Sequence, residues 1–296
     1  MMSRPDLNWD DQRAFLAVID DGSLSAAARR LGLTQPTVRH RIEALERALG
    51  TPLFSRAVNG LVPTEEARAL AAHVRRMELA SEAFRRAGSA PAGRVAGTVR
   101  ISVSEFIGIE VLPRMLAPLR AQHPALDLEL VLSNASADIL HQEADIAIRM
   151  HPPRQDALIA RHLGRIPLGF FAAPDYVARH GRPETLADLA GHPLIGPDRA
   201  AGDLALVGAL GAQAGVPLHF AIRTDTHPAQ LAAARAGLGI AVVQVPIGER
   251  DLVRLLPDLV VHWLEVWIVA HEDLRRSTRI DRVFQHLADA FARFCV

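Results

Sequence analysis

Thr37, Arg39 and His40, with Glu43 and Arg47 further along, surround the non-apolar sides of one short segment, Gln35 to Leu49, with hydrogen-bonding and charged groups. Such groups can read base edges and neutralise phosphates, and a helix presenting them from its first turns suits the major groove of DNA. The segment is helical by pattern. Val38, Ile42, Leu45 and Leu49 fall at i, i+4, i+7 and i+11, a single apolar face that must pack on neighbouring helices. Thr34 opens it as an N-cap, and Pro36 is tolerated in the first turn.

The elements before and after must hold that helix in place. Upstream, Ala26, Ala27 and Ala28 are small enough for a second helix to cross closely, and Gly32 offers the left-handed residue that a tight turn needs. Trp9, Phe15, Leu16 and Ile19 add a first helix ending near Asp21-Gly22, which completes a three-helix unit. Downstream, TPLFSRAVNGLVPT alternates short apolar runs around the turn signal Asn59-Gly60. It reads as a two-stranded hairpin, or wing, with Arg56 and Asn59 near its tip.

The charge that would favour nucleic acid is local. The chain of 296 residues has 33 basic and 33 acidic residues and is 49% apolar, an ordinary composition with room for two or three domains. Residues 23–56 nonetheless carry six Arg (29, 30, 39, 41, 47, 56) against Glu43 and Glu46, whereas residues 1–22 are net acidic. All basic residues are Arg and none is Lys, which we attribute to genomic composition rather than to a demand for guanidinium forks. The sole cysteine, Cys295, has no intrachain partner, so a reducing compartment is expected. The N-terminus MMSRPDLNWDD is too polar for a signal peptide, and no stretch approaches about 20 uninterrupted apolar residues. A cytoplasmic protein follows.

From Thr64 the pattern is helical again. Ala67, Leu70, Val74, Met77, Ser81 and Phe84 recur at steps of 3 and 4, a seven-residue seam placed for pairing with a second copy; the alternative is a helix lying on its own wing. Gly88 to Gly97 breaks the periodicity and reads as a linker. Beyond it, strands at Val99–Val103, Leu126–Leu132, Ala144–Ile148, Leu168–Ala172, Leu218–Ile222, Ile240–Val243 and His262–Val269 alternate with helical text, which predicts parallel sheet with crossover helices. Ile280, Val283, Phe284, Leu287 and Phe291 mark a last amphipathic helix.

With these elements in place, the chain resembles the LysR-type transcriptional regulators from end to end. The carrying residues are Phe15-Leu16-Ala17-Val18, Gly22-Ser23, Ala27-Ala28, Leu31, Thr34-Gln35-Pro36, Val38, Ile42, Leu45-Glu46, Leu49-Gly50, Leu53-Phe54, Arg56 and Thr64. Further on, Gly97-Thr98-Val99-Arg100-Ile101, Leu112-Pro113, Pro124, Ala144 to Arg149 and Ala236 to Ala241 look like the family's effector-binding domain. The chain departs from the family with Arg39-His40 in place of Ser-Arg, which bears on base preference, and with Glu66-Ala67 in place of Ala-Gly, which alters the start of the linker helix.

The resemblance implies an α/β protein with an N-terminal all-α winged helix-turn-helix (1–63), a long dimerising linker helix and hinge (64–93), and a C-terminal two-lobed domain like type 2 periplasmic binding proteins (94–296). Lobe one would comprise 94–165 and 266–296, and lobe two 166–265. It implies that Gln35, Pro36, Thr37, Arg39, His40 and wing Arg56 face the operator. Gln offers a bidentate match to adenine, Arg39 one to guanine or phosphate, and Pro36 and the Thr37 methyl can meet a thymine methyl. His40 is open between contact and bystander, and Arg41 and Arg47 read as solvated helix surface.

A small molecule would bind between the lobes. Ligands of open α/β sheets sit outside the carboxyl ends of strands, which nominates Ser102, Ser104, Glu105, Phe106, Ser133, Asn134 and Arg149 from the first lobe and Asp225, Thr226 and Gln244 from the second. Each competes with a role as helix cap or turn residue. Arg149 could clamp a carboxylate through its planar fork or pair with Asp145 or Glu143. The implied partners are double-stranded DNA with an interrupted, AT-rich dyad, a small-molecule effector, further copies of the chain as dimer and tetramer, and RNA polymerase, with no membrane, cofactor or metal.

Other classes lack their marks. There is no G-x-S-x-G elbow, no Lys for a P-loop and no H-E-x-x-H; Gly237-Leu238-Gly239 lacks the third glycine of a dinucleotide fingerprint, and His271-Glu272 lacks a second His. The thirteen histidines show no ligand spacing. A solute-binding protein would need an export signal and would not need residues 1–90.

Overall fold

A computed structural model describes residues 7–57, 60–89, 93–134, 144–152, 158–271 and 277–296. They form two compact units that divide between Arg85 and Arg86.

In the first unit, local capping sets each helix. The Asn8 side chain accepts from Asp10 N (2.9 Å) to open α1 (Trp9–Asp21), and Ser23 Oγ accepts from Ala26 N (3.2 Å) to open α2 (Leu24–Leu31). Gly22 (φ 70°) and Gly32 (φ 66°) end these helices in the left-handed conformation, so the chain reverses twice within about a dozen residues. Ala27 and Ala28 are buried where α2 meets its neighbours, as their small size requires. Then α3 (Gln35–Leu49) buries Val38, Ile42 and Leu45 against Phe15, Leu16 and Val18 of α1, with Leu49 half-buried. The wing is antiparallel, β1 (Phe54–Ala57) on β2 (Gly60–Pro63), in register Phe54↔Pro63 to Ala57↔Gly60. Gly60 is therefore a paired strand residue instead of part of the turn; Asn59 lies outside the described residues.

Helix α4 (Glu65–Ala87) divides the expected seam in two. Ala67 and Val74, with the unforeseen Ala71, are buried in the first unit's own core, and Leu70 packs on it. That half of the helix lies on its own unit. Met77 and Phe84 instead remain 46% and 83% exposed.

In the second unit, nine strands among the described residues form one mixed sheet. One side is a parallel triplet, with β3 (Gly97–Val103) between β4 (Leu126–Leu132) and β5 (Ile146–Arg149). Two helices, α5 (Glu105–Glu110) and α6 (Leu112–Gln122), connect β3 to β4. The centre departs from the expected parallel order: β6 (Leu158–Ala172) runs antiparallel to the strand that returns from the far side, β11 (His262–His271), because the two cross between the halves in opposite directions. Between them come α7 (Pro174–His180), β7 (Leu194–Gly196), α8 (Ala201–Ala214), β8 (Phe220–Arg223), α9 (His227–Arg235), β9 (Ile240–Gln244), α10 (Val245–Gly248) and β10 (Val253–Leu255). A second parallel triplet, β9-β7-β8, forms there, and β9 and β10 pair antiparallel with β6. The last helix, α11 (Thr278–Phe294), buries Ile280, Val283, Phe284, Leu287 and Phe291, the five residues its pattern marks.

Polar ties close this unit. Asp145, 3% exposed, accepts from Arg86 Nε and Nη2 (both 3.3 Å) and from Arg100 N (2.8 Å). Glu110 at the end of α5 takes Arg235 of α9 bidentately (2.9 and 3.0 Å), and this pairing holds its carboxyl below the usual carboxylate range. Gly237 (φ 72°) and Gly239 (φ 157°) turn the chain from α9 into β9, where a Cβ on Gly239 would strike the Pro193 carbonyl oxygen. This is the structural role of Gly-Leu-Gly. On β6, Arg165 exchanges two backbone hydrogen bonds with Val296 (3.0 Å each), and Cys295 packs over Gly164, where burial pushes its thiol up to about 11. No helix among the described residues is long and apolar enough to cross a membrane.

Candidate nucleic-acid interface and ligand cavity

The first turn of α3 is a fixed platform. Thr34 Oγ1 accepts from Thr37 N (3.3 Å), and the two threonine hydroxyls lie 2.7 Å apart, so the Thr37 hydroxyl is already engaged in the cap. Gln35, Pro36, Arg39 and His40 are exposed beside it, opposite the buried stripe of Val38 and Ile42, and Thr37 is half-buried. The cationic residues then sort by commitment. Arg41 donates to Asp10 (3.3 Å to Oδ2) and Arg47 to the Glu43 carbonyl (3.2 Å), while Arg30 is held by Asp20 (3.4 Å) and Asp21 (3.1 Å). Among the described residues neither Arg29 nor Arg39 has an ion-pair partner. Arg56 sits on β1, paired with Leu61.

The second unit contains a cavity of about 310 Å3. Six of the ten nominated residues line it: Ser104, Phe106, Ser133, Asn134, Arg149 and Gln244. Ser104 occupies the N-cap position of α5, and its side chain makes no capping bond there. Arg149 is buried and donates to Ser102 Oγ (3.1 Å), Ser102 O (3.4 Å) and Ile148 O (3.0 Å).

Four nominated residues stand outside the lining and have local duties instead. Ser102 orients Arg149, and the Glu105 amide donates to Asn134 Oδ1 (3.2 Å). Asp225 accepts from the backbone N–H groups of Ala200, Arg199 and Asp198 (3.0, 2.9 and 2.8 Å), which hold its carboxyl below the usual range. Thr226 is an exposed N-cap residue of α9. The cap alternative thus describes Asp225, whereas the Thr226 side chain makes no capping bond.

Residues 9–68 match the family described as bacterial regulatory helix-turn-helix protein, lysR family, and residues 92–292 match the LysR substrate binding domain. The chain belongs to the LysR family. An HTH-type transcriptional regulator of Xanthomonas campestris is 34% identical over 182 residues, 60% of this chain and 51% of that protein, so the chain spans about half the length of that relative. The LysR relative AmpR of Pseudomonas aeruginosa, a transcriptional activator, is 32% identical over 256 residues, 85% of this chain and 83% of that protein. In fold the chain is similar to CbnR, a LysR family transcriptional regulator, with a TM-score of 0.71 at 20% identity over 96% of this chain and 99% of that one; the CbnR crystal structure with its target DNA gives 0.70 at the same identity and coverage. The two curated relatives are named as regulators of transcription, not enzymes.

Two features of this LysR chain escaped the sequence reading. Most of the cavity wall is apolar, with Phe170, Leu206, Val207, Leu210, Phe220 and Leu264 among its residues, and in sequence such residues look like core. Asp203 and His227 also line it and take each other (3.0 Å), as does Gln230, whose Nε2 donates to Thr224 O (2.6 Å). The other feature is Glu46. Its Oε1 accepts from Leu53 N (2.7 Å) and Phe54 N (3.3 Å), tying the start of the wing to α3. Glu46→Ala should cost about 1.5–3 kcal/mol, as expected for charge-assisted hydrogen bonds, and Glu46→Gln much less. Urea unfolding of both variants measures this; equal stability of the alanine variant and the parent would remove the carboxylate as wing anchor.

Proposed function

We propose that the chain is a sequence-specific DNA-binding transcriptional regulator whose response is set by a small molecule bound in the cavity of its second unit. One observation carries the DNA half: Gln35, Pro36, Arg39 and His40 project from the first turns of a helix that is capped by Thr34 and buried along its opposite side. The crystal structure of full-length CbnR with its target DNA supports the reading. Arg39 is the base reader and Arg29 and Arg56 neutralise phosphate, whereas Arg30, Arg41 and Arg47 are engaged within the protein. The division at 1–63, 64–93 and 94–296 belongs to the same reading, as do dimers and tetramers on an interrupted AT-rich dyad and contact with RNA polymerase. Binding in the cavity shifts an existing equilibrium between assembly shapes, which a ligand can do only through its differential affinity for them.

The test is Arg39→Ala in fluorescence anisotropy, with the protein's own upstream region and a random duplex of equal length. A good bidentate base contact is worth about 1–3 kcal/mol, so affinity for the upstream duplex should fall about 5- to 100-fold and for the random duplex far less. Affinity should also fall steeply with salt as phosphate counterions are released. Equal loss on both duplexes would reduce Arg39 to a phosphate contact, and no binding to the upstream region by the parent protein would overturn the reading.

A further inference from the structure

Resting on the reading of the cavity as the effector site, we infer that its ligand has an apolar body, aromatic or branched aliphatic, and a single polar head that donates a hydrogen bond to Gln244. The polar groups of the lining are mostly spent on the protein. Asp203 and His227 take each other, Gln230 Nε2 is given to Thr224 O, Asn134 Oδ1 receives the Glu105 amide, and Arg149 lies on Ser102 and Ile148. Gln244 and Ser104 are exceptions, and Gln244 is the buried one. It is 6% exposed, it lines the cavity, and its Oε1 is buried without a hydrogen-bond partner. A buried acceptor left unpaired costs about 1–3 kcal/mol, which a donor on the ligand restores. Ser104, whose hydroxyl makes no capping bond, stands in the same lining as the other available group.

The rest of the wall decides the body of the ligand. Phe170, Leu206, Leu210, Phe220, Val242 and Leu264 offer no partner for the hydroxyls of a sugar or the oxygens of a phosphate, which would be stripped of water there without compensation. An apolar group gains by the same transfer. Ligand sites of this make-up, mainly apolar with few placed polar groups, select by the polar groups and bind through the wall.

The experiment titrates the full chain by calorimetry with three probes: 4-phenylbutan-1-ol, its methyl ether, and glucose 6-phosphate. The alcohol should bind, the ether about tenfold more weakly because Gln244 Oε1 stays unpaired, and the phosphate not at all. Gln244→Leu should bring the alcohol down to the level of the ether and leave the ether unchanged. Leu206→Trp, which fills the chamber, should abolish both, with Val207→Trp as the second filling variant and far-UV circular dichroism as the check on folding. Equal affinities for alcohol and ether, or no effect of Gln244→Leu, overturn the assigned head. Glucose 6-phosphate binding that Leu206→Trp abolishes overturns the ligand class while the effector site stands. Alcohol binding that survives both filling variants overturns the site reading itself.

Discussion

Asp145→Ala should lower the stability of the second unit by about 3–5 kcal/mol, the range for removing one partner of a buried ion pair. The expected loss is large because three bonds converge on this carboxylate: both Arg86 nitrogens at 3.3 Å and the Arg100 amide at 2.8 Å. Arg86 is itself only 6% exposed, so its guanidinium would be left with its main counter-charge gone. The Asp145 amide also donates to Arg100 O (2.9 Å), which means the residue grips both sides of Arg100 and sets β5 beside β3. A marginal protein has about 5–15 kcal/mol to lose. Urea unfolding of the full chain is the measurement, with Asp145→Asn as the milder control. A loss under about 1 kcal/mol for the alanine variant would mean that the pair contributes little beyond its packing.

The second large effect concerns assembly. On the reading that α4 pairs with a second copy, Met77→Asp combined with Phe84→Asp should halve the mass of the full chain in light scattering. Two carboxylates from each helix would then have to enter the seam, and a cost of about 3 kcal/mol already weakens association more than a hundredfold. These two positions are suited to the test because both are exposed within the chain, so their substitution leaves the first unit's core intact. Val74 is unsuited, for Val74→Asp would place a carboxylate in that core and unfold it. An unchanged mass with both substitutions in place would place any self-association elsewhere.

The contrast between Val74 and Phe84 shows how far the sequence reaches. A seven-residue repeat records which side of α4 is apolar, and it cannot record whether that side meets its own wing or another molecule; here the N-terminal half meets its own unit. The limits of α1, α2 and α3 are legible where turn chemistry is local: Thr34, Gly22 and Gly32 act on neighbours within a few residues, whereas the caps Asn8 and Ser23 emerge only in the structure. The length of β6 is not legible. Leu168–Ala172 is a recognisable apolar run, but Arg161, His162 and Arg165 are exposed in the crossover, and Gly164 and Pro167 interrupt the pattern.

The cavity was half legible for a related reason. Ser104, Asn134 and Gln244 could be nominated from their places after strands, and Asp225 and Thr226 came with them, since a polar residue after a strand serves a ligand or a backbone cap equally well in sequence. Only the three amides converging on Asp225 distinguish the cap. Helix α8, AGDLALVGALGAQA, carries no clear apolar stripe because Leu206, Val207 and Leu210 line the cavity while Leu204 is exposed.

The packing of Cys295 over Gly164 bears on how this molecule can be studied. It is the single cysteine of the chain, and with its thiol pushed up to about 11 almost none is thiolate near neutrality, the form that reacts with maleimides and other labelling reagents. The native thiol should therefore react slowly with such reagents. One cysteine introduced at an exposed position away from the DNA-facing helix and from α4, Ala121 for instance, would take a spin label or fluorophore well ahead of the native thiol.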